Sequence, residues 1–346
     1  METKITDNVF TEILDFAKEI LEIPSPSGYT KNIINHLVNI CKENGYTHEV
    51  LNNGNLLIEV KGSDDYVLGL TCHVDTLGAM VSAINSDGTL KFSVVGGPIL
   101  PTYDGEYCTV YTRSGNSVTG TFLSNAPAVH VHKDARTLPR NEETMHIRLD
   151  ELVHSKQDVL NLGICNGDFI ALDPKTQITP SGFIKSRFLD DKLSVAIVFR
   201  LLKFLKTENV TPKHTLKIVI STLEEVGSGA SYMPKIDEML AIDMGCVGNH
   251  LEGNEEKVSI CAKDSSGPYN YDMNTKLIEL ARKENLDYAV DVFPYYSSDV
   301  SAALKGGNNI KGALIGSGVA ASHGMERTHL KGVTNTFKLL LAYILN

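Results

Sequence analysis

The stretch Thr215-Leu-Lys-Ile-Val-Ile-Ser-Thr-Leu-Glu-Glu-Val-Gly-Ser-Gly-Ala230 decides how this chain is read. Its first six residues are apolar apart from Thr215 and Lys217, the pattern of a strand buried on both faces. Glu224 and Glu225 stand side by side just past its end, followed by Gly227 and Gly229. Adjacent acids beside a buried strand repel each other and resist desolvation, so a chain that keeps them there usually supplies a positive charge, and a metal is the simplest source. The alternative is a solvated loop that happens to carry two glutamates. What the other strand ends carry discriminates between the two.

Residues 67–71 form another apolar strand, which runs into Cys72-His73-Val74-Asp75. His73 and Asp75, two residues apart in an extended chain, point the same way. Asp190 lies in Ser186-Arg-Phe-Leu-Asp-Asp-Lys192, at the start of a helix over 191–206 whose apolar face is Leu193, Ala196, Ile197, Leu201 and Leu205. Asp243 ends a strand over 239–242, within Ala241-Ile-Asp-Met-Gly245. His323 follows a strand over 311–315, within Ala321-Ser-His-Gly-Met-Glu-Arg-Thr328. Further helices are expected at 7–22, through 33–41, and at 231–238, 273–284, 298–305 and from 333 onward. Further strands are expected near 47–51, 55–60, 257–262 and 288–292. Such alternation implies an α/β fold, a mixed sheet flanked by helices. Between about 81 and 175 the texture is different: short alternating runs at 90–95, 107–112, 117–122, 146–149 and 169–172, separated by turn residues, with one short helix near 158–162. The expected organisation is therefore an α/β domain of residues 1–80 and 176–346, interrupted by an all-β domain of residues 81–175, a small barrel-like fold or a sandwich.

In open α/β sheets the functional crevice lies outside the carboxyl ends of the strands. His73, Asp75, Asp190, Glu224, Glu225, Asp243 and His323 all belong there. Two imidazoles and several carboxylates suit divalent zinc, cobalt or manganese. They exceed the three protein ligands of a single catalytic ion and suit two ions about 3.5–4 Å apart that share a carboxylate. Giving each ion one histidine and one terminal acid, with Asp190 shared, leaves one member of the Glu224/Glu225 pair free as a general base. Asp75 suits the partner that orients a ligating imidazole. Taken singly, each residue also has a plain structural role, as a helix cap, a turn former or a hydrogen-bonded histidine; it is their shared position that points to a site. His130 and His132, in Val-His-Val-His, are expected on one face of a strand of the β insertion, in a structural role.

The composition narrows the class. The 346 residues carry 42 acidic against 32 basic side chains, a net charge of −10, which argues against nucleic acid or an anionic membrane as partner. Six scattered cysteines without a C-x-x-C pair read as buried thiols rather than zinc knuckles or a disulfide framework, and the first seven residues lack the basic and apolar regions of a leader, so a cytoplasmic protein is expected. Gly316-Ser-Gly318 lacks both G-x-G-x-x-G and a P-loop lysine, which excludes nucleotide binding through those motifs.

Five segments, His73-Val-Asp75, Ser186–Lys192, Leu223-Glu-Glu-Val-Gly227, Ala241–Gly245 and Ser322–Thr328, stand in the order found in the tetrahedral aminopeptidases, di-metal exopeptidases that include glutamyl and leucyl aminopeptidases. Pro24-Ser-Pro-Ser-Gly28 and Asp264-Ser-Ser-Gly-Pro268 are also similar to segments of that family, so the resemblance covers nearly the whole chain. It implies the di-zinc exopeptidase fold and a metal-dependent aminopeptidase acting on peptides with a free N-terminus. It also implies two divalent ions per subunit, zinc or cobalt, held by His73, Asp190 (bridging), Glu225, Asp243 and His323, with Glu224 as base and Asp75 supporting His73. A homo-oligomer follows too, often a dodecamer, with the β domain in subunit contacts. The chain departs from the family where Ser298-Asp299 replaces a frequent Thr-Asp-Ala, in a loop near substrate; Asp299 is the candidate substrate contact there. The alternatives are a related di-metal carboxypeptidase, dipeptidase or deacylase, whose lids are usually α/β, and a non-enzymatic oligomeric binding protein on the same fold.

Overall fold

The structure, a computed structural model, describes residues 7–346; the segment on which the expected absence of a leader rests lies almost wholly outside them. Helices α1 (Asp7–Leu21) and α2 (Lys31–Asn44) precede the hairpin β1 (Thr47–Val50) and β2 (Leu56–Val60) and then β3 (Val67–His73). The chain next enters six strands, β4 (Gly78–Ile84), β5 (Leu90–Val95), β6 (Tyr107–Tyr111), β7 (Ser117–Ser124), β8 (Met145–Leu149) and β9 (Phe169–Leu172), with α3 (Lys156–Asn161) before the last. After β10 (Gln177–Ile178) and β11 (Phe183–Ser186) it returns through α4 (Leu189–Thr207) to β12 (Thr215–Ser221), β13 (Glu238–Ile242), β14 (Gly245–Cys246), β15 (Val258–Asp264) and β16 (Gly267–Pro268). Helix α5 (Tyr271–Lys283), β17 (Tyr288–Val292), α6 (Asp299–Lys305), β18 (Lys311–Val319), β19 (Glu326–His329) and α7 (Leu330–Leu345) complete it.

The main sheet has the order β1-β2-β12-β3-β13-β18-β15-β16, with β17 alongside β15. Its four inner strands, β12, β3, β13 and β18, are parallel, which is what uninterrupted apolar runs favour. Register sets Ser221 opposite His73, so β12 and β3 finish level, and Ile242 opposite Ile315, where β13 ends and β18 continues. Alternation divides the side chains between two cores. Leu68, Leu70, Ile218, Ile220, Leu240 and Ile315 join the large core formed with α1, α2, α4, α5 and α7. Val219, Met239, Ala241 and Leu314 face Val300 and Ala303 of α6 together with Phe293. The expected mixed sheet flanked by helices is thus present, with its helices shared unequally between the faces.

The insertion is a closed antiparallel barrel in the order β4-β5-β8-β7-β6-β9, plugged by Phe92 and Phe122, whose ring centroids are 5.0 Å apart edge to face. It begins at Gly78, so the boundary placed at residue 80 falls inside its first strand. Two local expectations are overturned. Residues 231–237 do not form a helix: Pro234 has no N–H to donate, and Met233 and Ile236 turn into the smaller core instead. The Val-His-Val-His segment is a turn rather than a strand, because the amides of Val131 and His132 both return to the Ala128 carbonyl, at 3.1 and 3.0 Å, and the barrel closes without them. Among the described residues, no helix is long and apolar enough to cross a membrane.

Strand β18 runs on to Val319 and takes Gly316 and Gly318 with it. Gly316 lies so close to the neighbouring chain that a Cβ there would stand 1.5 Å from the Asp243 carbonyl oxygen. Gly316→Ala is therefore expected to push Asp243 out of place and to destabilise the protein by a few kcal/mol, as overpacking does. A thermal midpoint equal to that of the parent would show that the contact can relax.

Candidate metal centre

His73, the last residue of β3, is 1% exposed. Its Nδ1 lies 3.0 Å from the Asp75 carbonyl oxygen, which can only accept, so the ring proton sits there and Nε2 is turned toward Asp190 Oδ1 at 3.2 Å. His323, in the 320–325 connection between β18 and β19, is arranged in the same sense. Its Nδ1 donates to the Gly97 carbonyl at 2.8 Å, and its Nε2 faces Glu225 Oε2 at 3.5 Å and Asp190 Oδ2 at 3.6 Å. Asp190 therefore sits between two imidazoles and shows one oxygen to each. Gly97 belongs to the barrel's connection from β5 to β6, and Ile99 of the same connection donates its amide to the His323 carbonyl at 3.1 Å. The inserted domain thus takes part in holding His323.

The strand β12 delivers its two acids in a tight turn over Glu224–Val226 that ends on Gly227 at φ +78°, a left-handed geometry suited to glycine. The turn sends the side chains to different neighbours: Glu225 toward His323, and Glu224 to 3.7 Å from His73 Nε2. Asp243, just past β13, is buried close to them.

Electrostatics register the crowding. Burial alone would lower the His73 imidazole, but bonds from Asp190 and Asp75 and the charge of Glu224 outweigh it and hold it well above the usual histidine range. Burial likewise opposes protonation of His323, yet Asp190 and Glu225 lift it to about 10. Asp190 is buried too, but its two imidazole partners keep it well below the usual carboxylate range. Burial, and next their acidic neighbours, raise Glu224 and Glu225, and Asp243 reaches about 7 through burial and Asp190. The pocket is thus short of positive charge.

Two triads, His73/Asp190/Glu225 and His73/Asp191/Asp243, hold ligand atoms within 4.8 Å of one another. Asp191 and the Tyr296 hydroxyl are buried against the same group, Asp191 beside Ser194 and the Tyr296 hydroxyl beside Asp243. Inward imidazole Nε2 atoms and clustered carboxylates fit a divalent cation.

Behind these groups lies a second set of buried acids. Asp75 was expected to support His73. Its main-chain carbonyl takes the ring proton, while its carboxylate lies 3.5 Å from that ring and holds the acidic turn: Oδ1 accepts the Glu224 amide at 3.1 Å, and Oδ2 accepts the Glu225 amide at 3.2 Å and the Ser27 hydroxyl at 2.6 Å. Asp191 Oδ2 accepts the His73 amide at 3.1 Å. Glu326 accepts the amides of His323 and Asp190, each at 3.0 Å. Neither Asp191 nor Glu326 was singled out from sequence. Asp191 could have been, because Asp190-Asp191 repeats the adjacent-acid signature of Glu224-Glu225.

Asp299 differs from expectation. It is 3% exposed, and its carboxylate accepts from the Thr71 hydroxyl at 2.7 Å, the Ser221 hydroxyl at 2.6 Å and the Ala230 amide at 2.9 Å. Its acceptor sites tie β3 to β12 beneath the acidic turn. The reason is local: Asp299 opens α6, on the sheet face of the smaller core. His130 and His132 lie in the turn over 128–132, away from the centre.

Over 336 residues, 96% of each chain, the sequence is 46% identical to YhfE of Bacillus subtilis, a protein named as an aminopeptidase. It is 23% identical to the lysyl aminopeptidase of Pyrococcus furiosus over 95% of this chain and 96% of the other. The fold matches that of the TET1 peptidase of Pyrococcus horikoshii, described as assembling into a tetrahedron or a large octahedral shell, with a TM-score of 0.83 and 21% identity over 96% of this chain and 99% of that one. The family model described as M42 glutamyl aminopeptidase matches residues 54–339, a span that holds every ligand candidate named above. The chain belongs to that family of peptide hydrolases.

Proposed function

We propose that this protein removes the N-terminal residue of peptides with the help of two divalent ions, zinc or cobalt, held by His73, Asp190, Glu225, Asp243 and His323, with Asp190 common to both. The observation that carries this reading is the placement of Asp190, one oxygen toward each inward-facing Nε2, at 3.2 and 3.6 Å. Bound ions would supply Lewis acidity, lowering the pKa of water toward neutrality and polarising the scissile carbonyl. The protein's own groups do the rest. Glu224 takes a proton from the attacking water and returns it to the departing amine, while Glu225 stays committed as a ligand. What supports this division is that Glu225 faces His323 and Asp190, whereas Glu224 stands beside them with a more accessible side chain, 13% exposed against 4%. Asp75 holds both glutamates through their amides, fixing the turn that separates their roles. The surplus of acids would also favour the protonated amino terminus of a peptide over a free carboxylate terminus.

The related TET1 peptidase is described as a dodecamer and as assembling into a tetrahedron or a large octahedral shell, and on that likeness we place this chain in a homo-oligomer of the dodecamer kind. The described cysteines are all unpaired, which suits a reducing cytoplasm. The direct test is a panel of aminoacyl-anilides with and without chelator. Chelator-sensitive release of the anilide is expected, with the preferred residue read from the same panel. Failure of the ion-loaded protein to cleave any free-amino substrate would end the aminopeptidase reading.

A further inference from the structure

Six residues have been assigned to the chemistry of the centre: His73, Asp190, Glu224, Glu225, Asp243 and His323. Five of them have their main-chain amide accepted by a buried carboxylate that is not itself among the six. Asp191 takes the amide of His73, Asp75 those of Glu224 and Glu225, and Glu326 those of Asp190 and His323. Asp243 is the exception, its amide being bonded to the Ile315 carbonyl at 3.0 Å as part of the sheet. For the four that lie outside the sheet, main-chain bonds to a fixed anion replace the support a strand would give, and His73 has its bond at the very end of β3.

Glu326 is unlike the other two because the two ligand amides it accepts belong to separate stretches of chain. Asp190 lies at the start of α4 and His323 in the connection after β18, far apart in sequence. The two stretches also meet in the β11–β19 pairing, where Ser186 is opposite Glu326. Glu326 is 2% exposed, so water does not compete for its oxygens. Each oxygen has one amide at 3.0 Å.

We infer that Glu326 is a positioning residue for the candidate metal centre: its carboxylate clamps the bridging Asp190 to His323 through their main-chain amides and sets the separation of those two ligands. It touches neither substrate nor ion. The clamp needs two acceptor oxygens. Glutamine in its place offers one acceptor and one N–H, and that N–H would face an amide donor it cannot bond. Removing an outer group that orients ligands commonly costs about 10–100-fold in metal affinity.

The inference rests on the metallopeptidase reading, and the experiment keeps the two apart. Parent, Glu326→Gln and Glu326→Asp proteins would be loaded with cobalt, dialysed against graded chelator and analysed for bound metal and visible spectrum. The parent is expected to keep two ions per chain. Glu326→Gln is expected to lose one of them at about 10–100-fold lower chelator, with a changed cobalt spectrum in a protein that still folds without metal. Glu326→Asp, which keeps both acceptors on a shorter stem, should recover part of the affinity. A Gln variant with parental chelator resistance and spectrum would overturn the clamp. A parent that binds no divalent ion would instead overturn the metallopeptidase reading. Should the Gln variant fail to fold, amide exchange in the metal-free parent decides: the amides of Asp190 and His323 are expected to be protected well beyond those of their loop neighbours, and rapid exchange at both would overturn the proposal.

Discussion

Glu224→Gln is expected to lower kcat by about 10²–10⁴-fold, the usual worth of a positioned general base, while both ions remain bound. The substitution keeps shape and volume and removes only the ability to take a proton. The Glu224 amide stays on Asp75, so the turn has no reason to move. Metal content should hold because Glu225, and not Glu224, is directed toward His323 and Asp190. The complementary change, Glu225→Gln, should lose bound metal first and activity as a result. Kinetics and metal analysis on the same preparations separate the two. Near-parental kcat in Glu224→Gln would remove Glu224 from the proton path, and the loss of an ion from it would reverse the roles given to the pair.

The second large effect concerns removal of the ions. Without them, the buried Asp75, Asp190, Asp191 and Asp243 and the partly buried Glu224 and Glu225 have only two imidazoles to offset them. A ligand at a thousand times its dissociation constant stabilises by about 4 kcal/mol per site, so chelation is expected to lower Tm by something on the order of 10 °C. The gap should also widen with pH. In the metal-free protein His323 is raised to about 10, so its contribution is complete below the unfolded histidine value of about 6.5 and is lost as pH rises through about 10. Asp243, raised to about 7 by burial and Asp190, acts in the same direction, because the folded chain prefers its protonated form and loses stability as it ionises. Asp190, held below the usual carboxylate range, works oppositely, but only in acid, where its contribution is lost as pH falls toward its folded value. Ions compete with the protons on the imidazoles, so their affinity should rise over the interval in which the metal-free protein weakens. Melting curves of the loaded and metal-free forms at about pH 6 and about pH 8.5 test this. A gap of equal size at both would contradict it.

The legible parts of the protein were those in which one short segment carries both the structural and the chemical signal. Apolar runs ending in His73, Glu224 and Asp243 announce parallel strands and place their polar residues at one edge of the sheet, so sheet and ligand candidates emerge together. The barrel was visible because its strands alternate over turn residues. What stayed hidden depends on bonds between remote segments. Nothing near Glu326 in the sequence shows that its carboxylate will meet the amide of Asp190, 136 positions away. The same holds for Asp299: an acid in a loop near a strand end looks available until the Thr71 and Ser221 hydroxyls are found upon it. Residues 231–237 misled for a different reason, since their apolar spacing serves an irregular plug into the smaller core as well as it would a helix.

The barrel lies between the first ligand and the second, and the way it closes alters the polymer problem the chain has to solve. Strands β4 and β9 pair with each other, Ala79 opposite Ile170, so the insertion ends where it began. Bringing His73 and Asp190 together through a structureless connection would carry the configurational entropy of a ring spanning residues 74–189, a penalty that grows with the logarithm of its length. Once the barrel is closed, only the tethers on either side of it, 74–77 and 173–189, remain to be ordered. A domain that could be mistaken for an ornament on the sheet therefore acts as a spacer of nearly zero end-to-end distance, and it lets two ligands far apart in sequence meet almost as cheaply as neighbours.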